Sequence, residues 1–148
     1  MNQPWECPVP DPYVEFEGQS DLILLSQCIL GEAEGEDYIG KLAVAWVVIN
    51  RVNGDYWPST IHKVVLQPKQ FSCFNEESLR LDIMQEPTKY LIQSIWSDCF
   101  KAGVAAFYNY EEDPTLGANH YHTDKVSPSW SRGKNPTVKI GSHLFFKL

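Results

Sequence analysis

Two apolar segments in the first third of the chain have the spacing of buried helices. In residues 22–30 the apolar side chains recur every three or four positions after Ser20, a good N-cap, which predicts a helix that ends at Gly31. Residues 39–52 are apolar on nearly every side. We therefore predict a second, longer helix that is the most buried element of the fold.

Weaker patterns cover the middle of the chain, and the last third changes character. The predicted elements of the middle are a short helix capped by Ser59 or Thr60 and running to about Leu66, an extended or hairpin piece over 70–74, a helix over 76–85, and another helix from Pro87 onward. After Gly117 come turns and short strands, near 118–122 and again between 138 and 146. Helices followed by a small β portion predict an α+β fold.

The first 19 residues are predicted to form a Pro-rich arm, and residues 20–148 the domain itself. Four prolines forbid a helix in the arm and favour an extended chain that packs over the surface. Its aromatic residues Trp5, Tyr13 and Phe16 indicate that the arm docks on the domain. The first 20 residues contain no Lys or Arg, which is not typical of a secretory signal.

Length and charge narrow the functional classes. A chain of 148 residues with 43% hydrophobic and 21% charged residues predicts one globular domain, and we expect a monomer. The net charge of −7 provides no basic surface for phosphates, which argues against nucleic acid as a partner. No apolar run reaches the roughly 20 residues that span a membrane, so we expect no membrane insertion.

The four cysteines are too widely spaced for a zinc knuckle, and we expect free thiols. Cys28 and Cys99 fall at core positions of the predicted helices. Cys73 is the better candidate for a peptidase nucleophile, but acidic surroundings disfavour the thiolate that such a nucleophile requires.

Three carboxylates lie at the junction of the two long helices: Glu32, Glu34 and Glu36, with Gly35 among them. A carboxyl group crowded between apolar elements is desolvated and keeps its proton more readily, as a general acid near neutral pH requires. The alternative is a solvated loop whose acids help to start the second helix.

His120 and His122 alternate on a predicted strand, which places both rings on one face of the sheet. Such a pair suits zinc, and the candidates for a third ligand are His62, His143 and Glu32. The pair also suits a polysaccharide groove, together with loop aromatics such as Trp57 and Trp130. Because no helix-borne His-Glu-x-x-His motif accompanies the pair, we expect no catalytic metal.

Several short motifs follow one another at a characteristic spacing. They are the acidic junction 31–36, residues 40–52 (Gly-Lys-Leu-Ala-Val-Ala-Trp-Val-Val-Ile-Asn-Arg-Val), 57–61 (Trp-Pro-Ser-Thr-Ile), 64–72, 117–122 (Gly-Ala-Asn-His-Tyr-His), 127–130 and 140–146. In this order they resemble the spore cortex-lytic and cell wall hydrolase family (the SleB/CwlJ type), over most of the chain from about Leu22. The family more often has a basic residue at the position of Glu34.

This resemblance implies a lysozyme-like α+β domain, related in architecture to lytic transglycosylases, that cuts peptidoglycan glycan strands without a cofactor. The family's catalytic acid corresponds to Glu32. The residues expected to bind substrate are Glu36, Gln70, Phe71, Ser72, His120, Tyr121, His122 and Trp130. With no evident second carboxylate, a single acid favours a lytic transglycosylase, in which the substrate's own 6-hydroxyl attacks, over a hydrolase.

Two other functions remain open at this point. One is a zinc-dependent wall amidase built on His120 and His122, and the other is a non-catalytic glycan-binding phage module in which Glu32 only packs. For the enzyme, we expect synthesis in the cytoplasm and action on the cell wall. It would be either a phage lysin or a catalytic domain trimmed from a larger protein.

Overall fold

The computed structural model describes residues 7–90 and 92–148, and in these it shows five α-helices and one three-stranded antiparallel sheet. The helices are α1 (Asp21–Ala33), α2 (Tyr38–Val52), α3 (Ile61–Val65), α4 (Leu81–Gln85) and α5 (Gln93–Phe107), and the strands are β1 (His120–Thr123), β2 (Val138–Ile140) and β3 (His143–Phe146). Single 3-10 turns lie at Phe16–Gly18, Ser72–Phe74, Pro87–Tyr90 and Ser129–Ser131. The predicted α+β class is confirmed.

Three long helices, α1, α2 and α5, pack against one another and form the core. Every residue of α2 from Gly40 to Ile49 is buried, which confirms the prediction that this helix is the most buried element. The apolar residues of α1 from Ile23 to Leu30 lie on the same core. Burial of each large aliphatic side chain contributes roughly 1.5–3 kcal/mol, so this helix packing sets the position of the residues at the end of α1.

The helix α1 continues through Gly31 to Ala33, so the prediction that it ends at Gly31 is wrong. The glycine is there because of close packing, not as a stop. A Cβ atom on Gly31 would lie 2.7 Å from the Cβ and Sγ atoms of Cys73 and 2.7 Å from the Sδ atom of Met84. The two extra helical residues place Glu32 on the helix instead of in the loop.

Lys41 satisfies the backbone at the junction between α1 and α2. Its side chain is only 4% exposed, and its Nζ donates hydrogen bonds to the carbonyl oxygens of Glu34, at 3.0 Å, and of Glu36. The last carbonyls of a helix have no partner within the helix. A lysine from the following helix therefore stabilises this junction.

The segment between α3 and α5 differs from the sequence prediction. Residues 72–74 form a 3-10 turn and not an extended piece or hairpin, because Phe71 and Cys73 both turn into the core. The helix predicted over 76–85 is limited to α4. The helix predicted from Pro87 is a 3-10 turn followed, after a break, by α5.

The sheet has the strand order β1-β3-β2 and confirms the strands predicted near the C-terminus. Tyr121 lies opposite Phe145 in the register of β1 and β3. Phe145 is fully buried against Ala43 and Val47 of α2. This packing places one face of the sheet on the helical core and leaves the side chains of His120 and His122 on the other face.

The described part of the predicted arm, residues 7–19, docks on the helices. The Phe16 ring meets Phe74 edge-on at 4.9 Å between centroids, and the Trp96 indole donates to the carbonyl of Pro8 at 2.8 Å. The expectation that Tyr13 helps this docking is wrong, since the side chain is 96% exposed. Trp5 lies outside the described residues.

Two further expectations concern the cysteines and the membrane. Cys28, Cys73 and Cys99 are buried free thiols, as predicted. Within residues 7–90 and 92–148, no helix is both long enough and apolar enough to cross a membrane.

Candidate active site

Glu32 lies in the last complete turn of α1 and is half-buried. The hydroxyl of Tyr121, on β1, donates a hydrogen bond to its Oε1 atom. Burial holds the pKa of Tyr121 well above its ordinary value, and the Glu32 carboxylate raises it further. The hydroxyl therefore stays protonated and serves as a donor to Glu32.

Two thiols lie beside the same carboxyl group. Cys28 is one helical turn before Glu32, and Cys73 packs against Gly31. Burial raises the pKa of the Cys73 thiol, and Cys28 and Glu32 raise it further. The pKa of Cys28 is also raised, first by burial and then by Glu32. Both thiols are held protonated and are poor nucleophiles, which removes the main support for a cysteine peptidase.

Arg51 is a site residue that the sequence analysis did not select. It is 5% exposed, its Nε donates to the carbonyl of Asn119 at 2.8 Å, and its Nη1 donates to Oε1 of Gln70 at 3.3 Å. The guanidinium carbon lies 4.2 Å from the centroid of the Trp57 ring. The sequence feature that could have indicated it is a basic residue within a largely apolar helix, a feature that Lys41 shares.

The charge of Arg51 acts on the same group of residues as Glu32. Burial lowers the pKa of Arg51, while Tyr121, Cys28 and Glu32 raise it. The site therefore contains one buried cation and one partly buried acid, and the Tyr121 hydroxyl donates to the acid.

Glu34 and Glu36 are engaged elsewhere. Glu34 forms an ion pair with Arg80. Both oxygens of Glu36 accept hydrogen bonds from Ser142, from its backbone N–H at 3.0 Å and from its hydroxyl at 2.9 Å. The substrate-binding role predicted for Glu36 stays a prediction, since these contacts support the turn between β2 and β3 instead.

The three residues predicted from the 70–72 motif have different surroundings. Gln70 is exposed and is oriented by Arg51. Phe71 is 3% exposed and packs in the core, with the Arg51 guanidinium 5.2 Å from its ring. Ser72 is exposed next to Cys73. The structure thus brings Gln70 and Phe71 together around Arg51, and their contact with substrate stays a prediction.

Five rings form a continuous group on the outer face of the sheet, which we call the aromatic layer: Trp57, His120, His122, Trp130 and Phe146. Trp130 joins its members, since its centroid lies 5.0 Å from His120, 5.5 Å from His122 and 5.3 Å from Phe146. Trp57 lies 5.5 Å from His120. Burial and the charge of Arg51 lower the pKa of His120, so its ring is neutral at neutral pH.

The predicted residues on β1 are therefore divided between two faces. Tyr121 meets Glu32 on the helical side, whereas His120 and His122 belong to the aromatic layer on the other side. His143 lies 5.0 Å from Tyr121, on the helical side, and does not complete a ligand set with the His pair. Among the described residues, no three His, Cys, Asp or Glu side chains come together as a metal site.

Comparison with known proteins places this geometry in a family. The model of the cell wall hydrolase family matches residues 35–146, more than half of the chain. The chain belongs to the cell wall hydrolase family. The match covers α2, Arg51, the 70–73 segment and the whole sheet, and it begins three residues after Glu32.

The chain is similar in sequence to spore cortex-lytic enzymes. Those of Bacillus cereus and Bacillus subtilis are 29% and 26% identical over 142 and 129 residues, which are 94% and 85% of this chain. The chain spans about half of the Bacillus cereus relative (47%) and 37% of the Bacillus subtilis one.

Two solved structures share the fold. The catalytic domain of the Bacillus cereus SleB protein superposes with a TM-score of 0.67 and 28% identity, covering 94% of this chain and 95% of that one. The catalytic domain of the germination-specific lytic transglycosylase SleB from Bacillus anthracis gives a TM-score of 0.67 and 29% identity, covering 88% of this chain and 98% of that one. The lysozyme-like fold expected from the resemblance is confirmed.

Proposed function

We propose that this chain cleaves peptidoglycan glycan strands at the bond between N-acetylmuramic acid and N-acetylglucosamine, with Glu32 as general acid and base. The names of its relatives, spore cortex-lytic enzyme and lytic transglycosylase, support this substrate class. The observation that carries the proposal is that Glu32 alone of the three junction acids joins the Tyr121 and Arg51 cluster.

The other two junction acids are already engaged, by Arg80 and by Ser142. A two-carboxylate glycosidase places its second group about 5–5.5 Å or about 6.5–9.5 Å from the first, free to act on the sugar or on water. Glu34 and Glu36 are both held by other partners, so neither is available to act on the sugar or on water. The site therefore favours a single-acid mechanism.

In the first step, Glu32 transfers its proton to the glycosidic oxygen while the bond from that oxygen to the anomeric carbon breaks. Positive charge develops at the anomeric carbon as an oxocarbenium-like centre. Glu32 is now a carboxylate, and its negative charge stabilises the positive charge at the anomeric carbon. The Tyr121 hydroxyl supports the ionised form through its hydrogen bond.

In the second step, the ionised Glu32 accepts the proton of the 6-hydroxyl of the same sugar, and that oxygen bonds to the anomeric carbon. The product is a 1,6-anhydro sugar, and Glu32 is protonated again for the next cycle. An intramolecular attack needs no positioned water, so one carboxyl group is sufficient. This supports a lytic transglycosylase over a hydrolase.

We further propose that the aromatic layer and the Gln70–Ser72 segment form the walls that hold the glycan. Apolar ring faces pack on the flat faces of sugar rings, and polar groups at the edge of the rings bind hydroxyl and acetamido groups. Trp57 connects the two walls, because it contacts both Arg51 and His120.

Glu32→Gln tests the proposal most directly. The amide oxygen can still accept from Tyr121, so the fold should persist, but no proton can be transferred. We expect the rate of glycan cleavage to fall about a hundredfold or more, measured by mass spectrometry of the muropeptides released. Glu34→Gln is the matched control, since that carboxylate pairs with Arg80 at the surface, and its activity should stay near that of the parent.

The same digest separates the alternatives. Muropeptides with 1,6-anhydro ends support the transglycosylase, and reducing ends without the anhydro form indicate a hydrolase. Release of peptides from intact glycan would indicate an amidase. A Glu32→Gln protein that cleaves at the parental rate would overturn the assignment of Glu32.

The setting in which the chain acts is also a proposal. We propose a monomer that works on the cell wall, as a phage lysin or as the catalytic part of a longer protein. Light scattering on the purified chain measures its oligomeric state.

A further inference from the structure

His143 is a buried histidine that lies beside the Glu36 carboxylate and the Tyr121 ring. It is the first residue of β3 and is 4% exposed. Its Nδ1 atom is buried and has no hydrogen-bond partner among the described residues. The nearest acid is Glu36, whose Oε1 atom lies 3.7 Å from Nδ1, which is too far for a hydrogen bond and close enough for an ion pair.

The His143 ring also contacts Tyr121, the tyrosine that donates to Glu32. The centroids of His143 and Tyr121 are 5.0 Å apart, with an interplanar angle of 67°. This is an edge-to-face contact of the kind that fixes ring orientation. The Tyr121 hydroxyl in turn donates to Glu32. A movement of the His143 ring therefore changes the position of the donor on the proposed catalytic acid.

Glu36 is held rigidly at the opposite end of this series of contacts. Its carboxylate accepts from the backbone and the hydroxyl of Ser142. A Cβ atom on Gly141 would come 2.2 Å from Glu36 Oε1, so this position requires glycine for the close approach. Glu36 thus provides a fixed negative charge towards which a protonated His143 can move.

The charges around His143 act in opposite directions. Burial lowers its pKa, Glu36, Glu32 and Asp124 raise it, and His122 lowers it. Asp124 is itself paired with Lys139 at 3.2 Å, which weakens its influence. The ring is neutral at neutral pH, and it gains a proton on acidification next to a carboxylate that is already in place.

We propose that His143 is a positioning residue: its neutral ring holds Tyr121 against Glu32, and a proton on the ring draws it towards Glu36 and loosens that hold. This inference rests on the proposed function for its effect on rate. The contact between His143, Tyr121 and Glu32 is independent of it and can be measured without substrate.

The test compares His143→Ala, which removes the ring, with His143→Phe, which keeps a ring but cannot be protonated. In His143→Ala we expect kcat to fall about tenfold or more, because the hydrogen bond to the acid is misplaced, with KM nearly unchanged. In His143→Phe we expect most of the neutral-pH activity to remain. In the parent, protonation of His143 should lower kcat as the pH falls. In His143→Phe this loss should be absent.

Two controls complete the design. Glu36→Gln keeps an acceptor for Ser142 but removes the charge that raises the His143 pKa, so the acid loss of kcat should move to lower pH. His62→Phe replaces a histidine that contacts Asp21 and Gln19 outside the site, and its pH profile should match that of the parent.

A readout without substrate separates this inference from the proposed function. The Tyr121 hydroxyl proton, followed by NMR, should be protected from solvent in the parent and in His143→Phe at neutral pH. It should exchange rapidly in His143→Ala. If the parent cleaves no glycan but the hydroxyl signal follows this order, the proposed function fails and the positioning role stands. The positioning role is overturned if the hydroxyl proton of His143→Ala is protected as well as that of the parent. It is also overturned if His143→Phe loses kcat on acidification as the parent does.

Discussion

Three chemically identical side chains at one junction acquire different properties through their partners. Glu32 accepts from Tyr121, Glu34 pairs with Arg80, and Glu36 accepts from Ser142. The Glu34 pair is partly exposed, with 40% and 25% of its side chains accessible. Pairs of that kind contribute about 0–1 kcal/mol, whereas Glu36 joins two distant segments through two hydrogen bonds.

The buried histidine also makes stability depend on pH. In the unfolded chain a histidine gains its proton near pH 6.5, whereas burial holds the pKa of folded His143 below its ordinary value. The unfolded state therefore binds more protons as the pH falls below about 6.5, and the free energy of unfolding decreases. We expect His143→Phe to lose less stability than the parent between pH 7 and pH 5, measured by urea unfolding. Identical losses in the two proteins would show that folding does not lower the pKa of His143.

At the scale of the element, the end of α1 is shaped by a residue that has no side chain. Gly31 lets the Cys73 side chain and the Met84 sulfur approach the helix directly before Glu32. The helix can therefore continue two residues further, to Ala33, and carry Glu32 towards β1. The position of Glu32 therefore depends on the close packing at Gly31 as well as on the hydrogen bond that Glu32 accepts from Tyr121.

The pair Gly31→Ala and Gly35→Ala tests this role. In Gly31→Ala the added Cβ overlaps Cys73 and Met84. Overpacking costs about 1–3 kcal/mol, and the helix propensity of alanine offsets at most about 1 kcal/mol of it. We expect a net loss of about 1–2 kcal/mol in urea unfolding, with reduced activity.

Gly35 is the control because nothing lies within 4 Å of the Cβ it would gain, and its φ is not in the left-handed region. Gly35→Ala should be neutral or slightly stabilising. Equal effects of the two substitutions on stability would contradict the packing role of Gly31.

The strand β1 serves two purposes because its side chains alternate. Tyr121 contacts the acid on the helical side, and His120 and His122 join the aromatic layer on the opposite side. One short strand therefore connects the proposed catalytic group to the proposed glycan-binding wall. A shift of one residue in its pairing with β3 would exchange the two faces.

At the scale of the whole molecule, the helical core and the sheet meet at Glu32, and this arrangement bears on the zinc amidase alternative. A third ligand for the His120 and His122 pair would have to come from the same face, and His143 lies on the other side of the sheet.

Activity is therefore expected to survive EDTA, and metal analysis of the purified chain should find less than one zinc per molecule. The measurement is muropeptide release with and without chelator. Activity that EDTA abolishes and zinc restores would favour the amidase.

The sequence by itself determined the helical core and the approximate place of the strands. Helical periodicity and turn residues are properties of neighbours along the chain, so α1, α2, α3 and the C-terminal strands were predicted nearly at their observed positions. The acidic junction and the ordered motifs also indicated the family, which the match over residues 35–146 confirms. The failures at Gly31 and at residues 72–74 have one cause, because at both places Cys73 packs against α1.

Only the tertiary structure decided which partners each site residue has. The hydrogen bonds from Tyr121 to Glu32 and from Ser142 to Glu36 join residues 89 and 106 positions apart. The position of Arg51 likewise depends on its hydrogen bond to Asn119, 68 positions away. No local pattern encodes such distances. They follow from the packing of the sheet against α2, which brings Tyr121 to Glu32 and Ser142 to Glu36.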